Sequence, residues 1–263
     1  MTDRQLAGVN FTFTEYLTAF GAGTGDLHPF LNLKLNHSEH VADEARGLST
    51  DLRWTASEQN NAEAMGLLHD TGRFQQFVKH HTFSDAASID HGELGWRIVR
   101  EEGFLTRLPH EEQRPILDGI RYHNNRFIPA PLPHHSLSYV QLIRDADKLD
   151  IYRVVLEALD HDGFQDIREM LPDIRLDRSV SDAFADQVRQ GKAGDLSQVQ
   201  SLGDFLLLHM RWVYDFNYSV AVQKVLDREI LPRLANHIED HSEVTRILEE
   251  TEKKNGRQTH NVQ

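Results

Sequence analysis

The apolar positions of this chain recur at helical spacing, and no segment alternates with the period of a strand. From Pro29 onward Val41, Ala45 and Leu48 fall at i, i+4 and i+7, which predicts a helix with proline in its tolerant first turn. A capping box, Thr55-Ala56-Ser57-Glu58, opens the next helix, whose inward face is Ala62, Met65 and His69 and whose expected stop is Gly72. Residues 73–90 read as a loop or short helices. A helix from about Ser88 carries His91, Gly95 and Ile98, and another, opened by Leu108-Pro109, carries Ile116, Ile120 and His123. Asn124-Asn125 ends it and a proline-rich loop covers 128–135. A long helix from about Ser136 then presents Val140, Ile143, Asp147, Ile151 and Val154 along one side.

The flanks are less regular. Residues 1–30 are polar and dotted with aromatics, and Gly21-Ala22-Gly23-Thr24-Gly25 interrupts them. Beyond Leu159 the charges scatter around Pro172, and a strongly apolar helix is expected over 202–238. The fold class is therefore all-α. We expect a helical core over 28–160, a helical extension over 161–250 packed on it, and a frayed or disordered tail over 251–263.

Composition narrows the chemistry. The 263 residues can bury a sizeable core, and none is cysteine, so disulfides and thiolate metal sites drop out. Any metal ligands must be His, Asp or Glu, a donor set suited to divalent transition metals or magnesium. The net charge of −13 argues against general nucleic-acid binding, because a phosphate backbone needs a cationic surface. With no signal-peptide pattern and no apolar run near the ~18 residues of a membrane span, the expected setting is cytoplasmic, without membrane contact.

Sixteen histidines remain to be placed. His37, His69, His91 and His123, together with Asp147, each fall on the apolar stripe of their own helix. A single inward histidine is most simply a core residue satisfied by a hydrogen bond. Five such residues on successive helices are better explained by a shared cation, since buried polar groups need partners and an unpaired buried carboxylate is costly. Helical bundles build metal sites from side chains on facing helices in this way. Asp145 sits on a second apolar side of the last helix with Leu142, Leu149 and Tyr152, so phase alone does not choose between Asp145 and Asp147.

In order, these residues and the pair His69-Asp70 give H…HD…H…H…D, which resembles the HD-domain metal-dependent phosphohydrolase superfamily over roughly residues 30–155. The resemblance implies that His37, His69, Asp70 and Asp147 hold one metal ion. It implies that His91 and His123 complete a second site, with Asp70 bridging. It favours Asp147 over Asp145 as ligand, leaving Asp145 to hold a neighbouring side chain, such as a histidine ligand. Arg73 stands where related chains place a lysine, which makes it a catalytic candidate beside Asp70; a guanidinium can bind a phosphate bidentately, and a local carboxylate partner is the alternative. His80, His81, Asp85, Ser88 and Asp90 form either a substrate loop or a polar connection. Lys148 and Arg126 are weaker phosphate contacts. His40 stands where many members carry arginine, and the glycine-tyrosine-proline motif of cyclic-di-GMP phosphodiesterases is missing.

The implied cofactors are one or two divalent ions per chain, with Mn, Fe, Mg, Zn, Ni and Co all compatible. The implied activity is hydrolysis of a phosphomonoester or phosphodiester, a nucleotide or related small phosphoester, by a metal-activated hydroxide. Two alternatives stay open: a di-iron oxygenase on the same scaffold, and a non-catalytic nucleotide-binding regulatory module. Oligomerisation is left open.

Overall fold

The computed structural model describes residues 1–160, 174–190 and 198–259, the side chains of 254–259 excepted. The stretch around Pro172 and the last four residues of the expected tail lie outside them. The fold is all-α: among the described residues there is no strand, and Arg175 and Ser201 form an isolated bridge. The chain divides into two compact units, Met1–Ile151 and Tyr152–Gln263.

The first unit contains α1 (Asp3–Thr18), α2 (Pro29–Asp51), α3 (Ala56–Leu68), α4 (Thr71–His80), α5 (His91–Glu101) and α6 (His110–Tyr122). It also takes the larger part of α7 (His134–Asp160). Helix α2 lies along α3, α4 packs on α5, and α6 packs on both α5 and α3. Val41, Leu48, Met65, Leu68, Phe74, Ile116, Ile120, Val140 and Ile143 form its sealed core. The capping box of α3 forms as its sequence predicts, with Thr55 and Glu58 exchanging hydrogen bonds.

Three elements depart from the sequence pattern. The polar, aromatic-dotted start is helix α1, which buries Leu6, Val9, Phe13 and Leu17 at spacings of three and four and is opened by Thr2 in a capping box with Gln5. Gly72 does not stop a helix: α3 ends at Leu68, and Gly72 lies in the first turn of α4, which supplies the first of the short helices expected over 73–90. A Cβ on Gly72 would sit 2.2 Å from the carbonyl oxygen of His91, so only glycine allows α4 and α5 to approach this closely. The single helix expected over 202–238 is a series of shorter ones, described next.

The second unit contains α8 (Asp182–Arg189), α9 (Leu202–Arg211), α10 (Ser219–Asp227), α11 (Ile230–Ala235) and α12 (Ser242–Thr259). Helix α9 is buried on all sides, as an element apolar around its circumference must be. A 3-10 turn at Trp212–Tyr214 follows it, and Glu229, with φ of +51°, breaks the chain between α10 and α11. Helix α12 covers most of the stretch expected as a tail, with Thr251 buried and donating to the carbonyl of Ile247.

Candidate metal centre

Four histidines in the first unit are oriented alike. His69 follows the last residue of α3, and its Nδ1 lies 2.7 Å from the carbonyl oxygen of Gly66. His123 repeats the device after α6, with Nδ1 2.8 Å from the carbonyl of Ile120. A carbonyl only accepts, so in both rings Nδ1 carries the proton and Nε2 presents its lone pair. His37 on α2 and His91 at the start of α5 place Nδ1 2.6 Å from the carboxylates of Asp150 and Asp85, respectively. Asp85 is held in turn by Arg73, Gln76 and Asn124. Every Nδ1 is tied to an acceptor, which points every Nε2 to one place.

That place is Asp70. Its Oδ2 lies 3.8 Å from Nε2 of both His37 and His69, while its Oδ1 lies 3.3 Å from Nε2 of His91 and 3.7 Å from that of His123. Asp147 Oδ1 comes within 3.2 Å of His37 Nε2 and 3.8 Å of His69 Nε2. Three overlapping sets result, each with its donor atoms within 4.8 Å of one another: His37-His69-Asp70, His69-His123-Asp147 and Asp70-His91-His123. All of these residues are buried except Asp147, whose side chain keeps 20 % of its exposure.

These residues fit divalent cations. His69 Nε2 is buried with no hydrogen-bond partner, an arrangement that costs about 1–3 kcal/mol when nothing compensates it. Nε2 of His91 and Nε2 of His123 face each other at 3.0 Å. With both Nδ1 atoms already donating, two lone pairs would oppose one another there unless a proton or a cation stands between them. Neutral imidazoles mixed with carboxylates are the donors that first-row transition metals favour.

A family model described as HD domain matches residues 35–152, a span that includes all six of these residues. Over this stretch, a little under half of the chain, the sequence resembles an HD domain. No curated protein and no solved structure matches the chain. The HD family consists mostly of metal-dependent hydrolases, and no helix among the described residues is long and apolar enough to cross a membrane.

The electrostatics of the HD centre suit metal binding. Burial pushes the imidazole of His69 down to about 3. Burial, with Arg73 nearby, pushes that of His91 down to about 4. Both are neutral near pH 7, as ligands must be. Burial works to raise Asp70, but Lys34, His69, His123 and Arg73 outweigh it and hold the carboxyl well below the usual range. Asp147 is held low in the same way, burial being outweighed by its hydrogen bond to His37. His37 is the exception: burial opposes its charge, yet hydrogen bonds to Asp147 and Asp150 push it up to about 9.

Other expected residues fall on either side of the centre. Arg73 Nε lies 3.6 Å from Asp70, while its Nη1 donates to Gln76, the carbonyl of Phe83 and Asp85, so it has local carboxylate partners. Asp145 is fully buried but belongs to none of the three donor sets. Asp150 and Asp85 hold the Nδ1 atoms of His37 and His91. Of the 80–90 stretch, Asp85 joins the centre, Ser88 accepts from Gln76 and Asp90 caps α5, whereas His80 and His81 are exposed. Arg126 and His40 are exposed too, and Lys148 reaches the carbonyl of Arg144.

Lys34 and Asp150 had no assigned role in the sequence. Lys34 Nζ forms a 2.9 Å ion pair with Asp70 Oδ2. Both had a readable signal: Lys34 is three before His37 and Asp150 three after Asp147, so each shares a helix face with a candidate ligand.

Proposed function

We propose that this HD domain is a metal-dependent phosphohydrolase acting on a small phosphomonoester or phosphodiester. The observation that carries the reading is the convergence of four Nε2 atoms on the two oxygens of one carboxylate. His37, His69, Asp70 and Asp147 would hold one divalent ion, and His91 and His123 a second, with Asp70 shared between them. Such ions, when bound, lower the pKa of coordinated water and draw charge from phosphoryl oxygens.

The chain's own residues do the rest. Asp150, Asp85 and two main-chain carbonyls fix the tautomers, so no ring must reorient when substrate arrives. Lys34 sets an ammonium beside Asp70 with 19 % of its side chain exposed, where an incoming phosphate would meet it. Arg73 fits a positioning role best, bracing Asp70 and Asp85 at once, and adds a second positive charge. Asp147, the most exposed of the six, marks the open side of the centre.

The test is phosphate release from a panel of nucleotides and simple phosphoesters by protein purified without chelator. Activity should vanish with chelator, return with added manganese, and be absent at every metal concentration in Asp70→Asn. Iron-dependent oxygen consumption without phosphate release would assign the centre to oxygenase chemistry instead.

A further inference from the structure

Four rings meet beside the HD centre without being sealed into the core. Phe77 stacks on Phe83 with centroids 5.1 Å apart and planes 29° apart. Phe30 meets Phe77 edge-on at 5.8 Å and Phe83 at 6.4 Å, and His28 lies 4.8 Å from Phe77. The three phenylalanines are half-buried and His28 is exposed. A contiguous group of partly exposed apolar rings commonly marks a binding surface.

Phe83 ties the group to the centre. The Lys34 ammonium lies 5.5 Å from its ring centroid and the Arg73 guanidinium 5.8 Å. The same two cations approach Asp70, at 2.9 Å from Oδ2 and 3.6 Å from Oδ1. The rings therefore begin one side chain away from the shared carboxylate. His81, with φ of +54°, turns the chain out of α4 into the segment that holds Phe83. Two residues further on, that segment holds Asp85, the partner of His91.

We propose that His28, Phe30, Phe77 and Phe83 form a shelf for a flat aromatic ring on the alcohol side of the substrate. The assignment of the phosphate end rests on the phosphohydrolase reading; the ring end rests on the shelf and its two cations. An aromatic surface accepts any flat π-face by stacking, whether a nucleobase or a simple aryl group. Lys34 and Arg73, which border both the shelf and Asp70, would face the phosphate joined to it.

Four esters test this on the manganese-loaded full chain. Adenosine 5′-monophosphate and phenyl phosphate carry a ring; ribose 5-phosphate and glycerol 2-phosphate do not. At least one ring-bearing ester should be preferred in kcat/KM by about tenfold, the scale of one stacked ring. Phe83→Leu should remove that preference mainly through KM, and Phe30→Leu, on a different element, should reduce it. Phe11→Leu, at a ring 68 % exposed on α1, should retain it. Preference for the nucleotide alone makes the ligand a nucleobase, and preference for both makes it an aryl ring in general. Equal use of all four esters, or a preference untouched in both shelf variants, would overturn the shelf. Should no ester be hydrolysed, the phosphohydrolase reading fails, and equilibrium dialysis with the same compounds decides the shelf alone. Tighter binding of a ring-bearing ester that Phe83→Leu abolishes would support it, and equal binding would overturn it.

Discussion

Asp147 and Asp145 lie two residues apart on one helix, and both fall on apolar sides of it in the sequence. Helical phase does not separate them, because the partners that matter come from other helices. The fold does: Asp147 stands 3.2 Å from His37 Nε2, whereas Asp145 is buried outside the donor sets. Order and phase pointed to the histidines and left Asp145 and Asp147 open; the resemblance to the HD family added Asp70 and favoured Asp147, and these six are the residues the fold gathers. The supporting layer was only partly legible: Asp150 shares a helix face with Asp147, whereas Asp85 looks like an ordinary charged position until its 2.6 Å contact with His91 is seen. Removing such a partner typically weakens metal affinity 10–100-fold without destroying the site. Asp150→Asn should therefore need more added metal yet recover activity, while Asp147→Asn should not recover. Metal titrations followed by phosphate release would separate the two, and full recovery of Asp147→Asn would remove it from the ligand set.

Hydrophobic periodicity located α2, α3, α5, α6 and α7 but misread the joints between elements. Gly72 was expected as a helix stop because glycine commonly is one, yet its task is to let α4 lie against the start of α5. Gly72→Ala should cost about 1–3 kcal/mol by overpacking. Because His91 opens α5, the variant should also lose the ion shared with His123 before the other one. Thermal melts and metal content check both effects, and an unchanged Tm would refute the close-contact role. In the second unit, Glu229 breaks the expected helix through its backbone conformation, which an apolar run does not reveal. Helix α9 buries His209, whose imidazole burial pushes down to about 4. The unfolded chain takes up this proton from about pH 6.5 downward and the folded chain does not. Its contribution is thus fully present above about pH 6.5 and lost as the pH falls toward 4, by about 3 kcal/mol. Urea denaturation at pH 7 and pH 4 should show that extra loss in the wild type and not in His209→Gln. Equal losses in both would contradict it.

At the scale of the molecule, the HD match at 35–152 nearly coincides with the end of the first unit at Ile151, but it begins well inside it. Helix α1 precedes the match and packs on α3, the helix that ends at His69. Its signal, Leu6, Val9, Phe13 and Leu17, was present in the sequence but diluted by threonine and asparagine. The net charge of −13 makes the local cations Lys34 and Arg73 conspicuous beside a centre otherwise built of carboxylates and imidazoles. The central claim is that Asp70 joins two ions in this one unit. Electron paramagnetic resonance of the full chain titrated with manganese tests it most directly. The expected result is two ions per chain with the spectrum of an exchange-coupled pair, reduced in His123→Ala to one ion with the spectrum of an isolated centre. A wild-type chain that saturates at one uncoupled ion would contradict the shared carboxylate.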